Sequence, residues 1–152
     1  MPVLVFIASV LFYCSLFRAW NSAPVFTGSV IEAGSADVID YAVDVCRITS
    51  SKIQVEAWVA LRGHVRRSHE SLLLARDPGT GEYLRLKTRV VLRSDVSNFL
   101  NERYGDAIDY SGIGLQGSLN YARGGSELPH GQIYAGYETE RGHILVELPC
   151  EF

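Results

Sequence analysis

The sequence predicts an all-β protein: an antiparallel immunoglobulin-like β-sandwich of about seven strands, with one N-terminal apolar helix and one short helix near 96–103. Three observations lead there. Residues 1–23 form an apolar head with one charge, Arg18. Beyond it, short runs alternate apolar and polar residues, and period two is the pattern of half-buried strands. Gly, Pro, Asp and Asn cut these runs at short intervals, as turns between antiparallel strands require. The chain of 152 residues has room for one domain. We divide it into the head (1–23), a linker (24–36) and a sandwich (37–152).

The head, MPVLVFIASVLFYCSLF up to Phe17, carries no charge. A spanning helix needs about 20 apolar residues. Val3–Ala23 supplies that length if Arg18 snorkels to the headgroups and Trp20 sits in the interfacial belt. Three readings compete: an uncleaved anchor, a cleaved signal peptide, and a buried N-terminal element. No Lys or Arg precedes the run, and Asn21-Ser22-Ala23 before Pro24 is a poor cleavage site. The lack of polar periodicity argues against burial in a soluble core. The anchor is the preferred reading, with the membrane as partner through residues 3–23. An exported domain freed by cleavage is the alternative. The missing basic region also suits the tail of a larger membrane protein. A lipoprotein signal is set aside, because Leu11-Phe12-Tyr13 is too bulky before Cys14.

Val38–Ile48 is the first expected strand. Lys52–Leu61 alternates Ile53, Val55, Ala57, Val59 and Leu61 against Gln54, Glu56 and Trp58. Ser71–Arg76 and Tyr83–Leu92 follow, joined by the hairpin loop Asp77-Pro78-Gly79-Thr80-Gly81. In Tyr83–Leu92 the residues Leu84, Leu86, Thr88, Val90 and Leu92 point inward and Arg85, Lys87 and Arg89 outward. Val96–Arg103 is the short helix, capped by Ser94 or Asp95, with Phe99 and Leu100 as its apolar contacts. Ile113–Tyr121, Gln132–Tyr137 and His143–Leu148 complete the strands, with Gly-rich turns between them.

The formal net charge of −3 hides an asymmetry. Residues 52–93 carry nine Lys/Arg against four acids, and residues 94–152 three Arg against nine acids. The two halves can neutralise each other within one fold. A net acidic domain is a poor nucleic-acid binder, so that partner is excluded.

Cys46 and Cys150 lie at the ends of the first and last expected strands. Strand adjacency would allow a disulfide between them, with two buried thiols as the alternative. Such a bond implies an oxidising compartment. That favours a β-domain outside the cytoplasmic membrane, although Arg18 on the domain side weakly opposes it.

No nucleophile in a recognisable setting, P-loop, dinucleotide fingerprint or paired Cys/His spacing occurs, so no catalytic residue, metal site or cofactor is assigned. The best surface candidate is the basic segment Arg62, His64, Arg66, Arg67 and His69, suited to anionic groups or a partner protein. Tyr110, Tyr134 and Tyr137 belong to a tyrosine-rich last third, and exposed rings give sugars a face to stack on. Asp95, Asp106 and Asp109 could serve a small glycan-processing enzyme if two of them faced a cleft. As calcium ligands they lack regular spacing. Arg93 and Asp95, two apart on an extended segment, could brace a strand exit.

Three pieces carry a family resemblance: Arg93-Ser94-Asp95-Val96, Tyr110-Ser111-Gly112-Ile113-Gly114-Leu115, and Leu128-Pro129-His130-Gly131-Gln132-Ile133-Tyr134. Over about residues 52–148 the chain resembles a β-sandwich accessory domain of bacterial membrane proteins of surface-glycan metabolism, often attached to glycosyltransferase-like proteins. It departs from that pattern with Ile113 in place of an aromatic residue and one extra residue before Tyr134. The resemblance implies a non-catalytic domain beside a membrane enzyme and carries over no active-site residue. The expected function is therefore an envelope-associated binding or structural module, contacting glycans or a partner membrane protein.

Overall fold

The structure, a computed structural model, describes residues 2–21, 23–32, 39–49, 52–64, 71–120, 132–139 and 142–150. Among these, nine strands form two sheets. They are β1 (Val30–Glu32), β2 (Ile39–Ile48), β3 (Lys52–Leu61), β4 (Ser71–Arg76), β5 (Tyr83–Arg85), β6 (Lys87–Val91), β7 (Gly114–Asn120), β8 (Ile133–Thr139) and β9 (Gly142–Leu148). One sheet has the order β1-β9-β8-β4-β5 and the other β2-β3-β7-β6. Every pairing is antiparallel except β1 with β9.

The sheets share one core. Ile53, Val55, Ala57, Val59 and Leu61 of β3 meet Leu73 and Ala75 of β4 and Ile133, Ala135 and Tyr137 of β8. The apolar face read from the alternation of β3 is thus the face that packs. Such a core is stabilised by about 25 cal/mol for each Å² of apolar surface withdrawn from water.

Two strands replace the single one expected over Tyr83–Leu92. β5 pairs with β4 in one sheet, and β6 pairs with β7 in the other. Leu86 is the residue between them. It is buried, and its N–H donates to the Leu73 carbonyl (2.9 Å). The Thr88 hydroxyl donates to the Leu86 carbonyl and accepts from the Leu73 N–H. The continuous alternation concealed the crossing, because Leu86 faces the shared core from either sheet. Leu92, expected inward, is 76% exposed, since β6 has ended one residue before it.

The expected linker also holds structure. The Arg85 N–H donates to the Pro24 carbonyl, and the Phe26 N–H to the Tyr83 carbonyl, on the β5 edge. Val30–Glu32 then runs along β9 at the opposite edge. Phe26 packs with Leu72, Leu74, Tyr134, Leu145 and Tyr83 on the outer side of this sheet. β4 is therefore buried on both faces, and Ser71–Ala75 is buried at every residue.

α1 spans Pro2–Asn21, and every side chain from Leu4 to Phe17 is exposed. Among the described residues no helix is long and apolar enough to cross a membrane. The expected span Val3–Ala23 includes residue 22, which lies outside the described residues.

α2 (Ser94–Tyr104) buries Val96, Ser97 and Leu100, while Phe99 is half exposed rather than packed. Arg93, not Ser94 or Asp95, occupies the cap position and makes no side-chain cap bond. Gly105 ends the helix at φ +67°, where an L side chain is strained.

Cys46 and Cys150 are joined by a disulfide, with Cα atoms 5.6 Å apart and a sequence separation of 104. β2 and β9 belong to different sheets, so the bond clamps the sandwich rather than joining neighbours in one sheet. In the chain-entropy account, closing a loop of this length is worth about 4–5 kcal/mol. Reduction, or Cys150→Ala, is expected to lower the unfolding free energy by about that amount. Denaturant titration with and without reductant measures it; an unchanged midpoint would contradict the clamp.

Candidate functional site

The outer side of the β2-β3-β7-β6 sheet divides in two. One half is apolar and covered: Trp58 and Ala60 pack under Val96 and Leu100 of α2, with Tyr110 and Ile113 beside them. The other half is polar and open. Register places Gln54 beside Ser118 and Ser118 beside Lys87. The next row is Glu56, Gln116 and Arg89. Alternation turns all six away from the core.

These side chains are linked. Lys52 Nζ donates to Gln54 Oε1 (3.3 Å), and Gln54 Nε2 to Glu56 Oε1 (3.3 Å). Gln116 Nε2 donates to the same Glu56 oxygen (2.5 Å), and Arg89 Nε to Gln116 Oε1 (2.5 Å). A hollow of about 370 Å³ lies over them, lined by Lys52, Gln54, Lys87, Arg89, Gln116 and Ser118. A smaller one of about 150 Å³ adjoins it, shares Arg89 and Gln116, and reaches Asp44, Glu56 and Arg93.

Arg93 anchors that end. Its Nη1 is 2.5 Å from Asp44 Oδ2, its Nη2 2.9 Å from Asp95 Oδ2, and its Nε 3.0 Å from Asp95 Oδ1. Asp44 is available because the β2–β3 register shifts between Val43 and Val45, and a bulge re-aims the side chain it carries. The Arg93 N–H donates to the Ser111 carbonyl (2.7 Å). Gly114 lies beneath: a Cβ there would sit 2.4 Å from the Val91 carbonyl oxygen and 2.8 Å from Arg93 Cγ. The Asp95 and Asp44 hydrogen bonds raise the Arg93 pKa further above its ordinary value. The hydrogen bond from Arg93 holds the Asp95 carboxyl at about 2.

The residues singled out from the sequence do not converge on this face's open half. Arg62 is exposed, with its guanidinium carbon 5.2 Å from the centre of the Tyr104 ring. His64 is exposed in the turn after β3. Arg66, Arg67, His69, His130 and the segment 128–131 lie outside the described residues. Tyr110 is fully buried; its hydroxyl donates to Asp106 Oδ2 (2.8 Å) and accepts from the Gly63 N–H (3.1 Å). Burial raises its pKa. Tyr104, whose hydroxyl bonds Asp40, is raised mainly by burial and then by that carboxylate. Tyr134 is buried, bonds Gln132 and packs on Tyr83, while Tyr137 is part of the central core. Tyr110, Tyr134 and Tyr137 are thus packing residues, and none presents its ring to a ligand in solvent.

The carboxylates are also engaged locally. Asp95 pairs with Arg93, Asp106 accepts from the Tyr110 hydroxyl, and Asp109 accepts from the Ser111 N–H. Among the described residues no three His, Cys, Asp or Glu side chains form a metal-binding group.

The hollow escaped sequence reasoning for a specific reason. Both outward rows, Lys52-Gln54-Glu56 and Arg85-Lys87-Arg89, are visible as alternation. The partner order β3-β7-β6, which sets them side by side, is not. No protein-family model matches the chain, and no curated protein or solved structure is significantly similar to it.

The Arg93–Asp95 pair gives a pH signature. The Asp95 carboxyl is depressed from 3.8 to about 2, so its contribution is fully present above pH 3.8 and is lost as pH falls through 2. Asp95→Asn is expected to lower the thermal midpoint at neutral pH, with the gap to the parent chain closing between about pH 4 and 2. Salt should shrink the gap, since Asp95 is exposed. A gap independent of pH would refute the pairing.

Proposed function

We propose that this chain is a non-catalytic module of the cell envelope: an immunoglobulin-like sandwich held at a membrane through α1 on the oxidising side, where it binds a glycan or a partner membrane protein. One observation carries the reading. Ten large apolar side chains of α1, among them Leu4, Phe6, Leu11, Phe12 and Phe17, are exposed around the helix. Burying each is worth about 1.5–3 kcal/mol, and a helix that is apolar on all sides belongs in an apolar medium. Contiguous exposure on this scale marks an interaction surface.

The strand order supports the immunoglobulin-like assignment. β2-β3-β7-β6 reproduces the A-B-E-D order, and β9-β8-β4-β5 the G-F-C order extended by a further strand. The disulfide departs from that pattern: it joins β2 to the chain after β9, whereas the usual bond would join β3 to β8. Its presence supports an oxidising compartment. The glycan part of the reading rests on the resemblance to glycan-associated accessory domains. Arg93 donates to Ser111 and rests over Gly114, so two of its three segments meet in space.

Cell fractionation with thiol blocking at lysis tests the reading. The chain is expected in the membrane pellet after alkaline carbonate washing, with one of its three cysteines alkylated before reduction. Release into the soluble fraction with three alkylated thiols would overturn it.

A further inference from the structure

We propose that the 370 Å³ hollow over β3, β7 and β6 binds an acidic oligosaccharide, a sugar chain bearing carboxylate or sulfate-type groups. This deepens, and rests on, the reading of the chain as an envelope binding module.

Charge comes first. Lys52, Lys87 and Arg89 line the hollow, and among the described residues no carboxylate joins that lining. Among the described residues Arg89 bonds through Nε to Gln116, and its two terminal nitrogens make no further bond there. Lys52 makes a single side-chain hydrogen bond there, to a neutral amide. Cations gathered on one open face attract an anion, and a guanidinium fixed at one nitrogen offers the other two as a fork for a carboxylate or sulfate.

The neutral groups narrow the class. Gln54, Gln116 and Ser118 lie on β3 and β7, between Lys52 and the two β6 cations. Glu56 accepts from both glutamine amides, and this sets which way each amide points. Glu56 is thus a positioning residue. Amides and hydroxyls held in fixed orientation suit a ligand rich in hydroxyl groups. Among the described residues the lining contains no aromatic ring and no large apolar side chain. A lipid tail, a stacked base and an apolar peptide anchor would each need one.

The test uses the full chain in uncharged detergent, titrated calorimetrically. The probes are tetragalacturonate, its methyl ester, sulfated maltotetraose, neutral maltotetraose and tetraglutamate. At least one acidic saccharide is expected to bind, with its neutral counterpart and tetraglutamate weaker by about tenfold or more. Arg89→Ala and Lys52→Ala should each weaken binding, Arg89→Ala by about tenfold or more. Arg62→Ala, on the covered half of the face, should leave it unchanged. Added salt should weaken binding. Binding of neither acidic saccharide, equal binding of the neutral forms, equal binding of tetraglutamate, or insensitivity to both Arg89→Ala and Lys52→Ala would each overturn the proposal. Saccharide binding by a chain that is absent from membranes would sink the α1 reading and leave the hollow standing. Loss of binding in Arg89→Ala with membrane retention intact supports the two as separate properties.

Discussion

Everything in the β-domain depends on the contact between its two sheets, and β3 is the centre of that contact. Five alternate residues of β3, Ile53 to Leu61, face the opposing sheet. Period-two geometry then commits the intervening residues to the outside. Lys52, Gln54 and Glu56 are presented to solvent because Ile53 and Val55 are not. A one-residue slip of β3 would bury a lysine and a glutamate and expose the core, which is why the register is firmly held. The hollow, the hydrogen-bonded chain over it and the seat of α2 are all consequences of the same alternation.

Two devices hold that contact at its margins. The Cys46–Cys150 bond ties the outer strand of one sheet to the chain leaving the other. The segment from Pro24 to Glu32 crosses the outer side of the five-stranded sheet, pairing with β5 at one edge and β9 at the other. Both edges of that sheet are thereby blunted, as isolated β edges usually are. The same segment leads directly to α1. A pull on the helix is therefore received by the whole width of the sheet rather than by one frayed strand.

Much of this was legible in the sequence, and what was not has identifiable causes. The bounds of β3 and β4 follow from alternation and turn residues, which are local signals. The split at Leu86 was hidden because a residue at a sheet-to-sheet crossing faces the same core on either side. β1 was missed because three residues carry no periodicity, and its partner lies over a hundred residues away. The tyrosines misled because a ring's composition says nothing about whether it is covered. Tyr110 is enclosed by α2 and a 3₁₀ turn, an arrangement that only the tertiary fold supplies. The Arg93 cluster was half visible: Asp95 is two residues away, but Asp44 arrives from β2 by way of a bulge.

The central claim is that α1 lives in an apolar medium while the sandwich beyond it stands in water. The chain carries its own reporter, because Cys14 is a free thiol exposed on α1. Native membranes can be treated with a charged, membrane-impermeant maleimide, before and after detergent solubilisation. Cys14 is expected to be unreactive in the intact membrane and to label fully once the bilayer is dispersed and the protein unfolded. Equal, rapid labelling in both states would place α1 in water and contradict the account.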